Sequence, residues 1–257
     1  MTPIQFGSTF HVGEQHIQHE KICQDVAIAV KDKNLIILAL SDGMGSYAYA
    51  ELGARFAVNF IRENAGEIYG LPAYSKGTNG EIVWKKKDGE KLFIKALSRI
   101  FQRMQNEAAD YVTRVGIGID DIHCTLSFAL IGPTKMVAGS IGDSPLYIKT
   151  NEGFLHLYGN GELEAGNITY SAFDEYSIPH MAVSVGFTEN LQAVLMMSDG
   201  CLGYKKGESL EGMSKDFPSW FYDIVQGKVT IQNVVRNLVM EGYDDCSFSY
   251  FANTSKM

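Results

Sequence analysis

The chain has 257 residues, 46% hydrophobic and 20% charged, with 22 Lys and Arg against 30 Asp and Glu for a formal charge of −8. Such a composition is neither disordered nor fibrous and can bury a substantial core, and its acidic excess argues against a nucleic-acid backbone binder. No window reaches the ~18 uninterrupted apolar residues of a membrane span, and Met1 to Phe6 lacks the basic start and apolar run of a signal peptide, so no membrane partner and a cytoplasmic protein are expected.

Apolar and β-branched runs predict strands over 5–12, 25–30 and 35–40, the last two joined by the polar turn Lys31–Asn34. A helix follows over 49–65, with Leu52, Phe56, Ala57, Phe60 and Ile61 on one stripe. Residues 70–89, with Gly77-Thr78-Asn79-Gly80, read as a surface loop or small hairpin. A second helix spans 91–112 through Leu92, Ala96, Ile100, Met104 and Ala108. Strands then recur over 125–131, 135–141, 146–150 and 154–158, before an irregular stretch at 158–184 and a strand at 193–198. A third helix over 231–241 and a strand over 247–252 close the chain. Short turns between neighbouring strands imply antiparallel pairing, and the grouping of strands apart from helices predicts an α+β fold. No Pro- or Ser-rich linker divides it, so residues 1–257 read as one domain.

Cys23, Cys124, Cys201 and Cys246 are scattered singly, without the paired spacing of zinc sites. They read as reduced thiols filling small buried spaces; a redox-sensitive site is the lesser alternative, raised because three of them lie within two residues of an acidic motif.

Four acidic motifs stand out: Gln24-Asp25, Ser41-Asp42-Gly43-Met44-Gly45, Ser198-Asp199-Gly200 and Asp244-Asp245. The second and third follow the apolar runs Leu35–Leu40 and Ala193–Met197, which deliver a carboxylate to the mouth of a buried strand. Carboxylates gathered there repel one another unless a hard cation with oxygen ligands holds them. Any single Asp-Gly is more often a plain turn, and Gly142-Asp143-Ser144 alone reads equally as a tight hairpin turn or a metal contact. The order of the motifs is more specific. Together with Cys124-Thr125-Leu126 before an apolar strand, and with Asp-Asp before Ser247–Phe251, the series resembles the protein phosphatase type 2C family, the metal-dependent Ser/Thr phosphatases, over nearly the whole chain.

The resemblance implies two stacked, mostly antiparallel β-sheets (a sandwich) flanked by helices on both outer faces, with metals at one end. It implies two Mn2+ or Mg2+ ions, with Asp42 bridging them, the Gly43 carbonyl completing one, and Asp199 and Asp245 holding the other. A water between ions about 3.5–4 Å apart then attacks phosphorus in line, without a phosphoenzyme. Asp25 orients metal-bound water, Asp143 with Asp199 makes a weaker third site, and the partner is a phosphorylated protein. Two positions depart from the family pattern: Glu20 stands where many members have a phosphate-gripping Arg, and Met44 where some have a His. Lys21 lacks the bidentate fork of an Arg, and His16 and His123, as lone histidines, read first as structural. Two alternatives stay open: a non-catalytic module that binds a phosphorylated partner, and a small-phosphoester hydrolase. No Gly-x-Ser-x-Gly elbow supports acyl transfer.

Overall fold

The computed structural model describes residues 4–159, 169–202, 219–230, 232–233 and 244–257. The described elements run β1 (Ile4–His11), α1 (Glu14–Gln18), β2 (Val26–Asp32), β3 (Leu35–Ser41), α2 (Ala50–Gly70), β4 (Tyr74–Lys76), β5 (Ile82–Trp84), α3 (Gly89–Arg114), β6 (Leu126–Ile131), β7 (Lys135–Thr150), β8 (Phe154–Gly159), β9 (Ala182–Phe187), β10 (Leu191–Met197), α4 (Ser219–Val225) and β11 (Cys246–Asn253). The fold is α+β, as expected, and every strand pair is antiparallel.

Nine strands form one hydrogen-bonded system in the order β1-β11-β10-β7-β6-β3-β2, with β8 and β9 also paired to β7. It curls until β1 touches β2 and approaches a barrel. The two expected sheets are thus joined, and β7 is the reason. Its first half pairs with β6 and β9, its second half with β10 and β8. Gly142, at φ +93°, lets the strand change partners there, where the register against β8 shifts. The hairpin reading of Gly142-Asp143-Ser144 is therefore overturned: the motif lies inside one strand, and the predicted strands 135–141 and 146–150 are a single element.

β3 is apolar without alternation because both its faces are buried. Ile37 and Ala39 face α2 and α3, where Phe60, Ile61, Leu97, Phe101 and Met104 meet Phe128 and Leu130 of β6. Ile36, Leu38 and Leu40 face the other way, into a cluster with Ala129, Met136, Leu146, Val194 and Phe251. Burying each large side chain of this kind contributes about 1.5–3 kcal/mol. A third cluster packs Phe221 and Ile224 of α4 on Leu195, Met197 and Phe248.

Both long predicted helices are present. The loop at 70–89 contains the β4–β5 hairpin, which forms its own small sheet. Within the stretch read as irregular, residues 182–184 belong to β9, whose Val183, Val185 and Phe187 alternate with the small Ala182, Ser184 and Gly186. The predicted helix at 231–241 lies outside the described residues except for 232–233.

Candidate metal centre

Strand register gathers the acids. Val26 pairs with Ser41, so Asp25 at the entrance of β2 and Asp42 at the exit of β3 share one end of the sheet. Met197 pairs with Phe248, so Asp199, after β10, lies beside Asp244 and Asp245, before β11. The Ser198 and Ser247 backbones are bonded across this junction, N to O at 2.9 Å. Asp143 joins them from the point where β7 changes partners.

The turn after β3 is tied to the segment before β6. Gly43 and Cys124 form a β-bridge, Thr125 N donates to the Asp42 carbonyl at 2.8 Å, and Asp42 N donates to Thr125 Oγ1 at 3.0 Å. This lattice fixes the Asp42 backbone and leaves its carboxylate to the cluster.

Burial pushes Asp42 well above the ordinary carboxylate range, and the charges of Asp25, Asp199, Asp143 and Asp244 raise it further. Asp25 is raised to about 7, first by burial and then by Asp245, with Ser198, Asp42 and Ser247 partly offsetting. Asp199 is raised to about 6 by burial and by the charges of Asp143 and Asp244. Asp143 is also raised by burial, against a hydrogen bond donated by the Thr169 hydroxyl. Among the described residues no Lys or Arg forms an ion pair with any of these acids.

Asp245 has a different setting. Gly13 N donates to its Oδ1 at 2.8 Å, and Gln24 N and His16 Nδ1 donate to its Oδ2 at 2.6 and 2.9 Å. Its neighbour Asp244 is exposed at the mouth and acts electrostatically on Asp42 and Asp199. The expected residues are therefore brought together, but the two members of Asp244-Asp245 face different surroundings. Neither His16 as the partner of Asp245 nor Thr169 as the partner of Asp143 was foreseen. One usable signal was present: adjacent residues of an extended chain point oppositely, so one acid of the pair had to turn away from the others.

Glu20 and Lys21 are both exposed, Glu20 with a left-handed backbone (φ +54°). His123 packs its ring on Tyr47 at 4.5 Å between centroids. Cys201 and Cys246, expected as reduced thiols, are joined as a disulfide with Cα atoms 5.0 Å apart, because the turns that carry them pack back to back; Cys23 and Cys124 are free.

The donor set suits a hard divalent cation. Asp25 Oδ1 and Oδ2 and Gln24 Oε1 are buried without hydrogen-bond partners, a costly condition that a cation and its water shell relieve. Among the described residues no three potential ligands already converge on one point.

An acid cluster at one end of a curled antiparallel sheet packed against helices defines the class: an α+β protein with carboxylates gathered where its strands end. The chain belongs to the protein phosphatase 2C family, whose profile matches residues 12–233. The fold is shared with Ser/Thr phosphatase Stp1 of Staphylococcus aureus (15% identity, 98% of this chain and 95% of that one, TM-score 0.60). It is also shared with PppA, described as a regulatory component of a type VI secretion system in Pseudomonas aeruginosa (16%, 97% and 97%, TM-score 0.55). A third similar structure is the catalytic domain of the Ser/Thr protein phosphatase PstP in complex with two manganese ions (13%, 97% and 97%, TM-score 0.59). A search of curated proteins finds no match. Among the described residues no helix is long and apolar enough to cross a membrane.

Proposed function

We propose that this protein is a Mn2+- or Mg2+-dependent phosphoprotein phosphatase acting on phosphoserine or phosphothreonine. The observation that carries the reading is the group Asp25, Asp42, Asp143, Asp199 and Asp244, in which burial and the charges of the other four raise the proton affinity of Asp42, and which forms no ion pair with Lys or Arg among the described residues. The two arms of the sheet, sharing an inner apolar cluster, are read as the stacked layers of the family fold, with the acids at one end.

When bound, two divalent cations supply charge neutralisation and an activated water for in-line attack on phosphorus. The chain's residues prepare that chemistry. Asp42 and Asp199 would hold the ions, with the Gly43 carbonyl as a further donor. Asp244 takes the ligand place first given to Asp245, because the carboxylate of Asp245 is already occupied by three donors. Asp245 instead anchors the Gly13–Gln24 segment beneath the site. Thr169 orients Asp143, and Asp25 offers two free acceptor atoms for ordered water. Met44, where some members have a His, has no proton to give to the leaving group, and water on a metal would serve in its place.

The test is hydrolysis of a phosphothreonine peptide with Mn2+, with EDTA, and by folded Asp42→Asn and Asp199→Asn variants. The expected result is metal-dependent turnover that falls more than about a hundredfold in each variant. Manganese binding without turnover would instead favour a module that binds a phosphorylated partner, a reading supported by Glu20 at the phosphate-gripping position. Turnover of small phosphoesters but of no phosphopeptide would favour the third alternative.

A further inference from the structure

The Cys201–Cys246 pair joins the two acidic turns that carry Asp199 and Asp244. Cys201 lies two residues beyond Asp199, in a short 3-10 turn, and Cys246 lies two residues beyond Asp244, as the first residue of β11. The turns are in direct backbone contact, since a Cβ on Gly200 would sit 1.9 Å from the Asp245 carbonyl oxygen. A link here has little slack, and what it holds in place is the separation of two carboxylates 45 residues apart in the chain at a comparable offset.

The same pocket also suits the reduced state. Cys201 Sγ lies 3.2 Å from the Ser247 carbonyl oxygen and 3.9 Å from Ser198 Oγ, so a thiol there has an acceptor ready. The Cα separation of 5.0 Å falls in the range a disulfide spans without backbone movement. Both cysteines are buried, Cys201 4% and Cys246 0% exposed. Neither has a task in the proposed hydrolysis.

We propose that Cys201 and Cys246 are a reversible redox site that sets the metal affinity of the centre. A small neutral oxidant such as hydrogen peroxide removes the two thiol hydrogens: two thiols and one peroxide give one disulfide and two waters. A dithiol reductant reverses the step, returning two protons and two electrons to the sulfurs as it closes into its own cyclic disulfide. In the oxidised form the Asp199 and Asp244 turns are locked together and present their carboxylates as one unit. In the reduced form the Cys201 thiol donates to the Ser247 carbonyl, and the two turns are joined by this bond and the Ser198–Ser247 hydrogen bonds in place of a covalent link, so their spacing is less tightly fixed and cations are held less tightly.

The consequence for metal binding rests on the proposed centre; formation of the disulfide does not. The experiment therefore reads sulfur chemistry and manganese affinity without turnover. The full-length protein is treated with peroxide or with dithiothreitol, its free thiols are counted and the linked peptides mapped by mass spectrometry, and Mn2+ binding is followed by electron paramagnetic resonance. The expected result is loss of the Cys201 and Cys246 thiols after peroxide, recovery with dithiothreitol, and manganese binding about tenfold weaker in the reduced form. Cys201→Ser and Cys246→Ser should each bind Mn2+ like the reduced protein whatever the treatment, while Cys23→Ser keeps the response. Equal manganese affinity in both forms, or a peroxide response that survives in Cys201→Ser, would overturn the proposal. So would four reactive thiols after peroxide. Weakened manganese binding on reduction with no phosphatase activity under any condition would sink the proposed reaction and leave the redox site standing.

Discussion

Asp25 and Asp245 are both buried carboxylates at the same end of the sheet, 3% and 2% exposed, yet their surroundings oppose each other. Asp245 is met by two backbone N–H groups and an imidazole. Asp25 has two orphaned oxygens and a pKa raised to about 7. Burial is the same for both, so partners decide which is structural and which awaits a cation. An acid whose charge is already satisfied holds the frame, and an acid left in deficit is available to bind.

The largest effect should come from breaking the satisfied member. Asp245→Ala leaves Gly13 N, Gln24 N and His16 without their acceptor, and should cost about 3–5 kcal/mol in urea unfolding. A loss below about 1 kcal/mol would mean that the anchor is not structural. Asp25→Asn should act with the opposite sign in the metal-free protein, gaining about 1–2 kcal/mol at mildly alkaline pH because an uncompensated buried charge is removed. Manganese should erase that advantage, and a variant destabilised without metal would contradict the deficit assigned to Asp25.

Proton linkage sharpens the contrast. Asp25 and Asp199 bind protons more tightly folded than unfolded, with folded values of about 7 and about 6. The stability they contribute is complete below the unfolded carboxylate range and is lost as pH rises through those values. Metal-free protein should thus become less stable between roughly pH 4 and pH 7, and saturating Mn2+ should flatten the slope. Thermal unfolding across that range checks both; a metal-free protein that gains stability with pH would reverse the assignment. The smallest effect is reserved for His16→Ala, a loss of about 0.5–1 kcal/mol, since Asp245 keeps its two backbone donors.

Much of this was legible in the chain. Asp42 and Asp199 announce themselves because each follows an apolar run long enough to be a buried strand, and α3 because Ile100, Met104 and Ala108 repeat at helical spacing. What resisted reading depends on distant partners. Choosing between Asp244 and Asp245 requires Gly13 and His16, which lie 232 and 229 residues from Asp245. The unity of β7 was hidden because Gly142-Asp143 looks like a turn, and only the partner strands on either side show that the chain continues extended. The Cys201–Cys246 contact was hidden for the same reason, as neither spacing nor composition records that two turns pack back to back.

The passage of β7 through both arms also bears on how the molecule comes apart. A strand that hydrogen-bonds to β6 and β9 along one half and to β10 and β8 along the other cannot be released by opening either arm alone. Fluctuations that open one edge of the sheet stop at β7. Its central amides, around Ser140 to Leu146, should then exchange with solvent only when the whole sheet unfolds, so the arms share one cooperative transition and Asp143, seated at the junction, keeps its place through every lesser opening.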